Sequence, residues 1–234
     1  MKKSVLAIVL AVFTVFSTAV TLCVRALYTT EAVSAFDEEM RIVVDAGHGG
    51  IDGGVTGRIT GVKESELNLA IAFKLTQELE EMGFEVTMTR KTSAGLYDTT
   101  AKGFKKRDMQ RRKEIIEQAR PSLIRSVHQN FYPANTSRGG QVFYHEENKG
   151  GKLFAEGIQA ALNTLYEGQG AKGRKVAKGD YFMLQCYACP SVIAECGFLS
   201  NAEDERLLRS GIFQSAVAKA IAVGVVNYLS GSVA

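Results

Sequence analysis

The sequence has little proline, little net charge and no internal repetition, and these three absences limit its class. Only three prolines occur in 234 residues, and no low-complexity run or repeat of about 20 to 50 residues is found. The chain is therefore expected to be neither disordered nor a solenoid. Its formal net charge of +3 shows no basic excess of the kind that nucleic-acid binding requires, so we expect no nucleic-acid partner.

Long hydrophobic runs are absent except at the start of the chain. An uncharged, largely apolar run covers residues 4–24, which is about the 20 residues that a membrane-spanning helix needs. Lys2 and Lys3 before the run outnumber Arg25 after it, so the rest of the chain is expected on the outer face of the membrane. Small residues at 33–35 offer a cleavage site. An uncleaved anchor is favoured, and a cleaved signal peptide stays open.

The remainder predicts one domain. We divide the chain into an anchor or signal segment at 1–27, a tether at 28–40 and a catalytic domain at 41–230. Alternating strand and helix patterns predict an α/β fold, a three-layer domain whose mostly parallel, mixed sheet is flanked by helices. The pattern predicts strands at 42–45, 84–89, 122–128, 141–145, 181–184 and 191–195, and helices at 64–82, 102–120, 152–166 and 212–229, with a further helix start at 200–204.

Histidine is scarce, yet two of the three histidines fall where strands end. His48 follows the first strand in a glycine-rich turn, and His128 and Glu195 are predicted at the ends of later strands. Glu64 is predicted in the first turn of a helix. Ligands in such sheets bind beyond the carboxyl ends of the strands, and a zinc hydrolase needs three such ligands. The residues alone predict a metal site and leave the individual roles open.

Four cysteines occur, of which Cys186, Cys189 and Cys196 lie in the predicted domain. The first two have C-x-x-C spacing, but one such pair lacks the second pair that a zinc ribbon requires. The pair follows an apolar run and precedes Pro190, a context that does not favour redox catalysis. The redox state of these thiols stays open.

Four motifs carry a family resemblance. They are Asp-Ala-Gly-His-Gly-Gly at 45–50, Lys-Glu with Leu-Asn-Leu at 63–69, Ser-Val-His-Gln-Asn at 126–130 and Glu-Cys-Gly-Phe-Leu-Ser-Asn at 195–201. In this order they look like the zinc-dependent N-acetylmuramoyl-L-alanine amidases, and the likeness extends over the whole domain. One departure is Ala46, which stands where proline is common in the family.

The resemblance implies site roles. One zinc ion would be bound by His48, Glu64 and His128, and Glu195 would be the catalytic carboxylate. Two substrate-binding residues are added as weaker predictions, Arg112 and Asn130.

The resemblance also implies substrate, location and partners. The substrate would be peptidoglycan, cut between N-acetylmuramic acid and the L-alanine of the stem peptide. The match is closest to the short germination-specific amidases of spore formers, which implies cortex maturation through muramic δ-lactam, in the space between forespore and mother-cell membranes. An accessory protein stays an open possibility. The alternatives are a zinc carboxypeptidase acting on the stem peptide and a non-catalytic wall-binding module.

Overall fold

The computed structural model describes residues 40–232, which form six strands and five α-helices. The strands are β1 (Arg41–Ala46), β2 (Glu85–Met88), β3 (Leu123–Asn130), β4 (Gln141–Tyr144), β5 (Ala177–Lys178) and β6 (Ser191–Phe198). The helices are α1 (Glu64–Glu81), α2 (Phe104–Ala119), α3 (Gly151–Glu167), α4 (Ala202–Leu208) and α5 (Gly211–Leu229), with a 3-10 turn at Phe182–Leu184. The predicted anchor and all of the predicted tether except Met40 lie outside the described residues.

The strands form one mixed sheet in the order β2-β1-β3-β6-β4-β5. Strands β2, β1, β3 and β6 are mutually parallel, whereas β4 runs antiparallel to β6. Helices flank the sheet, so the predicted three-layer α/β architecture with a mostly parallel sheet is confirmed. Because β1, β3 and β6 are neighbours with the same direction, their carboxyl ends meet at one edge of the sheet.

One face of the sheet carries the larger core. Helices α1, α3 and α5 cover it, and α1 does so with Leu67, Ile71, Leu75 and Leu79, which recur at four-residue spacing and are all buried. Helix α5 is long and apolar enough to cross a membrane. However, it packs against α3 and α1 in this core, so its composition is that of a core helix.

The opposite face carries a smaller core and the cavity described below. Helix α2 and the 3-10 turn lie over it, and the buried apolar side chains beneath them include Val43, Ile124 and Ile193. These three residues come from the three central strands. The apolar layer on this face is therefore smaller than the one on the opposite face.

The structure corrects three details of the predicted elements. Residues 181–184, predicted as a strand, contain the 3-10 turn at Phe182–Leu184, because this segment closes over the sheet rather than joining it. Strands β3 and β6 continue beyond their predicted ends, so His128 and Glu195 lie within strands. The two-residue strand β5 had not been predicted.

Candidate metal centre

The central strands bring the predicted site residues together. His48 lies two residues beyond β1, and His128 of β3 is paired in register with Glu195 of β6. Glu64 is the first residue of α1 and is almost fully buried, at 2% exposure. Four residues that are far apart in the sequence therefore meet at one edge of the sheet.

Three of these residues form a cluster suited to a metal ion. One ligand atom from each of His48, Glu64 and His128 lies within 4.8 Å of the others. Glu64 Oε1 is 3.3 Å from His48 Nε2 and 2.9 Å from His128 Nδ1. Atoms bound to one tetrahedral zinc ion lie about 3.3 Å apart, given zinc bonds of about 2.0 to 2.1 Å. Two imidazole nitrogens and a carboxylate oxygen thus fit zinc in both spacing and chemistry.

The Glu64 carboxylate is held from several sides. The backbone amides of Val55 and Gln129 donate to its two oxygens at 2.9 and 3.1 Å, and Asn68 Nδ2 donates at 3.3 Å. Burial alone would raise the pKa of Glu64, but hydrogen bonds and charge from His128 and His48 hold it well below the usual value. The carboxylate is therefore ionised and fixed before any metal binds, which favours binding.

His48 has a second carboxylate partner, which the sequence reasoning missed. Its Nδ1 is 3.0 Å from Asp52 Oδ2, and the other Asp52 oxygen is 3.3 Å from Lys105 Nζ. Burial would lower the pKa of His48, but Glu64 and Asp52 raise it to about 9. A carboxylate on the second ring nitrogen of a metal-binding histidine fixes the ring and its tautomer.

The turn that carries His48 needs glycine at position 47. A Cβ atom on Gly47 would lie 2.2 Å from the Cε1 and Nε2 atoms of the His128 ring. The two imidazoles also pack edge to face, with ring centroids 4.9 Å apart. His48 itself has φ +60°, a left-handed conformation that is uncommon outside glycine. The loop is therefore closely fitted around both rings.

Two buried arginines hold the carbonyls of this turn. Arg90 donates to the carbonyls of Ala46 and Gly47 at 2.8 and 2.9 Å. Arg112 donates to the carbonyls of Ala46 and His48 at 2.8 and 2.7 Å. Three consecutive carbonyls thus accept charged hydrogen bonds, which are stronger than neutral ones. We infer that both arginines hold His48 in its strained conformation.

Arg112, predicted to bind substrate, lies beneath this turn and also lines the cavity that His48 and His128 line. Its role in substrate binding stays a prediction. Its side chain is fully buried, and it also donates to Asp108 and Asp45 at 2.6 and 2.5 Å. Its basic neighbours in the sequence gave no sign of burial. Asn130 is half-buried at the end of β3, where its backbone carbonyl accepts from Leu199. Its role in substrate binding stays a prediction.

Glu195 lies beside the cluster and is not among its ligands. The atom Oε2 is buried and has no hydrogen-bond partner among residues 40–232. Burial raises the pKa of Glu195 to about 7, with His128 opposing the shift and Glu64 adding to it. A carboxyl group that exchanges a proton near neutral pH is suited to general acid–base catalysis.

These features define a class. The carboxyl ends of the central strands present a His-Glu-His cluster beside a carboxylate whose Oε2 has no hydrogen-bond partner among residues 40–232. This is the arrangement of a metal-dependent hydrolase. Comparison with known proteins gives the family. Residues 42–227 match the family profile described as N-acetylmuramoyl-L-alanine amidase. The chain belongs to this family of amide hydrolases, and the resemblance stated from its motifs is confirmed.

Similar proteins include several amidases. The germination-specific N-acetylmuramoyl-L-alanine amidase of Bacillus subtilis is 32% identical over 81% of this chain and 79% of its own length. The CwlD amidase of Clostridioides difficile, solved in complex with the GerS lipoprotein, is 33% identical with a TM-score of 0.77. That match covers 82% of this chain and 99% of the other. The catalytic domain of CwlV from Paenibacillus polymyxa aligns with a TM-score of 0.70 at 28% identity, covering 82% of this chain and 98% of the other.

Proposed function

We propose that the chain uses one zinc ion to hydrolyse the amide bond between N-acetylmuramic acid and L-alanine in peptidoglycan. His48, Glu64 and His128 are the zinc ligands, and Glu195 is the general base. The observation that carries the proposal is the Glu195 carboxylate, whose Oε2 has no hydrogen-bond partner in the described part of the chain. It is in register with His128 and lies beside a cluster with zinc spacing. Family membership supports the bond that is cut.

The roles of the side chains follow from their positions. A bound zinc ion supplies a Lewis acid that polarises a carbonyl and acidifies water. Glu195 takes a proton from the attacking water at its carboxylate and returns it to the leaving nitrogen of L-alanine. Asp52 holds the His48 ring through Nδ1. The buried Glu64 carboxylate fixes the spacing of the two imidazoles.

The test is peptide release from purified peptidoglycan by the full-length chain, with zinc added or chelated. The expected result is zinc-dependent appearance of peptides with N-terminal L-alanine. Glu64→Gln should abolish both zinc binding and release, whereas the matched variant Glu66→Gln, an exposed carboxylate in the same helical turn, should retain both. Release of D-alanine without new N-terminal L-alanine would instead establish a carboxypeptidase. Binding without any cleavage would establish a wall-binding module.

We also propose an extracytoplasmic location, a membrane anchor at the start of the chain, and a role in maturation of the spore cortex. The similarity to the germination-specific amidase of Bacillus subtilis supports the cortex role. The lipoprotein bound to the C. difficile amidase supports an accessory partner for this chain. Deletion of the gene from its host should remove muramic δ-lactam from the cortex. Cortex with normal δ-lactam content would contradict the spore role and leave the amidase reaction intact.

A further inference from the structure

The segment between the 3-10 turn and β6 carries two cysteines, Cys186 and Cys189, with C-x-x-C spacing. Both are free thiols in the structure, and the proposed reaction uses neither of them. Both side chains belong to one small apolar cluster beneath the segment, in which Cys186 is buried and Cys189 is half-buried. The two thiols therefore share one environment, on the face of the sheet with the smaller core.

A single side chain, that of Asn148 after β4, holds both ends of this segment. Its Nδ2 donates to the carbonyls of Leu184 and Cys189 at 3.2 and 2.9 Å. Its Oδ1 accepts from the backbone amide of Ser191 at 3.3 Å. Because two carbonyls bond to one nitrogen atom, the chain between them must turn back on itself, and residues 186–189 form the bend. A disulfide needs Cα atoms about 4.4 to 6.8 Å apart, which is within the limit of about 7 Å that defines a four-residue turn.

Cys189 can be reached by a small molecule. It lies on the wall of a cavity of about 520 Å³, together with Pro190 and His145. Pro190 precedes β6 and His145 follows the antiparallel strand β4, so this cavity lies at the end of the sheet away from the metal centre. Thiol–disulfide exchange requires such access to one of the two sulfurs.

The pKa values of the two thiols indicate what kind of pair they form. Burial raises the pKa of Cys186 to about 12 and that of Cys189 to about 11. The charge of Cys189 adds to the shift at Cys186, as expected of neighbouring sulfurs. Catalytic redox pairs have lowered pKa values, because a stabilised thiolate makes their disulfide easy to reduce. A pair without that stabilisation suits a lasting disulfide and not a redox catalyst.

The segment also continues into the wall of the cavity beside the metal centre. Directly before Cys186, the residues Tyr181, Phe182 and Met183 line that cavity. The Sγ atom of Cys186 donates to the carbonyl of Met183 at 3.7 Å. A bond that restricts the bend at 186–189 would therefore also restrict the 3-10 turn.

We propose that Cys186 and Cys189 form a disulfide bond outside the cytoplasm, and that this bond fastens residues 181–190 over the face that carries the metal centre. The inference rests on the proposed extracytoplasmic location, where disulfides persist. The oxidant is a small-molecule disulfide. The Cys189 thiolate attacks one of its sulfurs and releases a first thiol. The Cys186 thiolate then attacks the Cys189 sulfur of the mixed disulfide and releases the second. Two protein thiols become one disulfide, and the oxidant is reduced to two thiols.

The test equilibrates the folded, full-length, zinc-loaded protein with equal concentrations of oxidised and reduced glutathione, followed by acid quenching and alkylation. Most molecules should lose two hydrogen atoms, about 2 Da, and two alkylation sites. Chymotrypsin cleavage after Tyr187, between the two cysteines, should leave the fragments joined. Cys186→Ser and Cys189→Ser should each prevent the bond. Cys196→Ser, at a fully buried position in the other core, should keep it. Two alkylated thiols at 186 and 189, or a bond to Cys196, would overturn the proposal.

Hydrogen exchange tests the fastening itself. Closing the bend by a bond should slow exchange of the amides at 181–190 at least about tenfold relative to the reduced protein. The amides of α1 should not change. Equal exchange at 181–190 in the two forms would overturn the fastening.

Two further results separate this inference from the proposed function. Absence of peptide release by both the oxidised and the reduced protein would overturn the amidase function and leave the disulfide standing. Protein isolated from its host under acid should contain the bond. If that protein held two free thiols although the purified protein forms the bond, the extracytoplasmic location would be overturned.

Discussion

The two faces of the sheet are built for different purposes. On one face, α1, α3 and α5 bury a large apolar core. On the other, α2 and a 3-10 turn cover only a small cluster, and the charged and polar groups of the site lie at its margin. The two faces share the same three central strands. The comparison suggests that stability comes mainly from the thickly covered face, which leaves the thin face able to carry strained and charged groups.

The largest expected effect is a loss of activity without a loss of stability, at Glu195. Glu195→Gln should lower kcat by about a thousandfold, within the range of about 10² to 10⁴ for a general base. The glutamine keeps the shape of the side chain, so zinc content and melting temperature should stay close to wild type. Peptide release, metal analysis and thermal unfolding check this, with Glu66→Gln as the control. Loss of zinc together with activity would contradict the assignment of Glu195 as a non-ligand.

A cavity in the thickly covered face should lower stability and leave activity unchanged. Leu75 is fully buried, and Leu75→Ala should cost about 2 to 5 kcal/mol of unfolding free energy. Activity per folded molecule should not change. Urea unfolding measures the loss, and Leu153→Ala, at a position 54% exposed, is the matched control. Loss of activity without loss of stability would break the division between the two faces.

The thick face contains one charged residue that tests how far the division extends. Arg125 is fully buried, and its three side-chain nitrogens have no hydrogen-bond partner among residues 40–232. Burial lowers its pKa to about 9, so the group is charged at neutral pH. Taking an unpaired charge out of water costs several kcal/mol, and an apolar side chain of similar volume removes that penalty. Arg125→Met should therefore raise stability in urea unfolding, whereas exposed Arg111→Met should not. A lower stability would show that the guanidinium has a stabilising role.

Gly47→Ala should damage the metal site with little effect on the core. The new methyl group would collide with the His128 ring, which must shift. Zinc affinity should fall about 10 to 100-fold, as when the surroundings of a ligand are disturbed. Competition with a chromophoric chelator measures this. Gly211→Ala, where a Cβ meets nothing within 4 Å, serves as the control. Unchanged zinc affinity would refute the requirement for close approach.

The smallest effect concerns the buried charges under the site and depends on pH. Burial would raise the pKa of Asp45, but Arg112 and Thr89 hold it below its usual value. A carboxyl group with a lowered pKa contributes stability above its unfolded pKa of about 3.9 and loses it as pH falls through the folded value. Metal-free Asp45→Asn should be less stable than wild type at pH 7, and the difference should shrink below about pH 4. Urea unfolding at both pH values checks this. The control is Asp180→Asn, whose side chain is 91% exposed; its stability relative to wild type should not depend on pH. If the stability difference between Asp45→Asn and wild type stayed constant with pH, the charge pairing of Asp45 would be contradicted.

Much of the fold could be predicted because its local patterns agree with the final contacts. The four-residue spacing of leucine and isoleucine in α1 and the β-branched run in β1 are local signals, and the same residues are buried in the structure. The segment at 181–184 has the apolar composition of a strand but forms part of a 3-10 turn. Its conformation depends on packing over the sheet, which no local pattern encodes. A two-residue strand such as β5 is too short to show periodicity.

Some residues of the site could be predicted from the sequence, and others could not. His48, His128 and Glu195 follow or occupy parallel strands, so their meeting at one edge follows from topology. The roles of Arg112 and Lys105 could not be separated from sequence, because both lie in one basic run of α2. Burial distinguishes them: Arg112 is 0% exposed beneath the turn, whereas the side chain of Lys105 is 67% exposed. Only the tertiary structure shows that Arg112 donates to the carbonyls of the turn, whereas the Lys105 ammonium lies beside Asp52.

The position in the sheet of the strands that carry the site residues has a consequence for dynamics. Strands β1, β3 and β6 each have neighbours on both sides, whereas β2 and β5 form the edges. The backbone amides of β1, β3 and β6 should exchange with solvent only when the whole sheet opens. The two-residue strand β5 can open on its own. Residues added or deleted near β5 should therefore leave the spacing of His48, Glu64 and His128 unchanged.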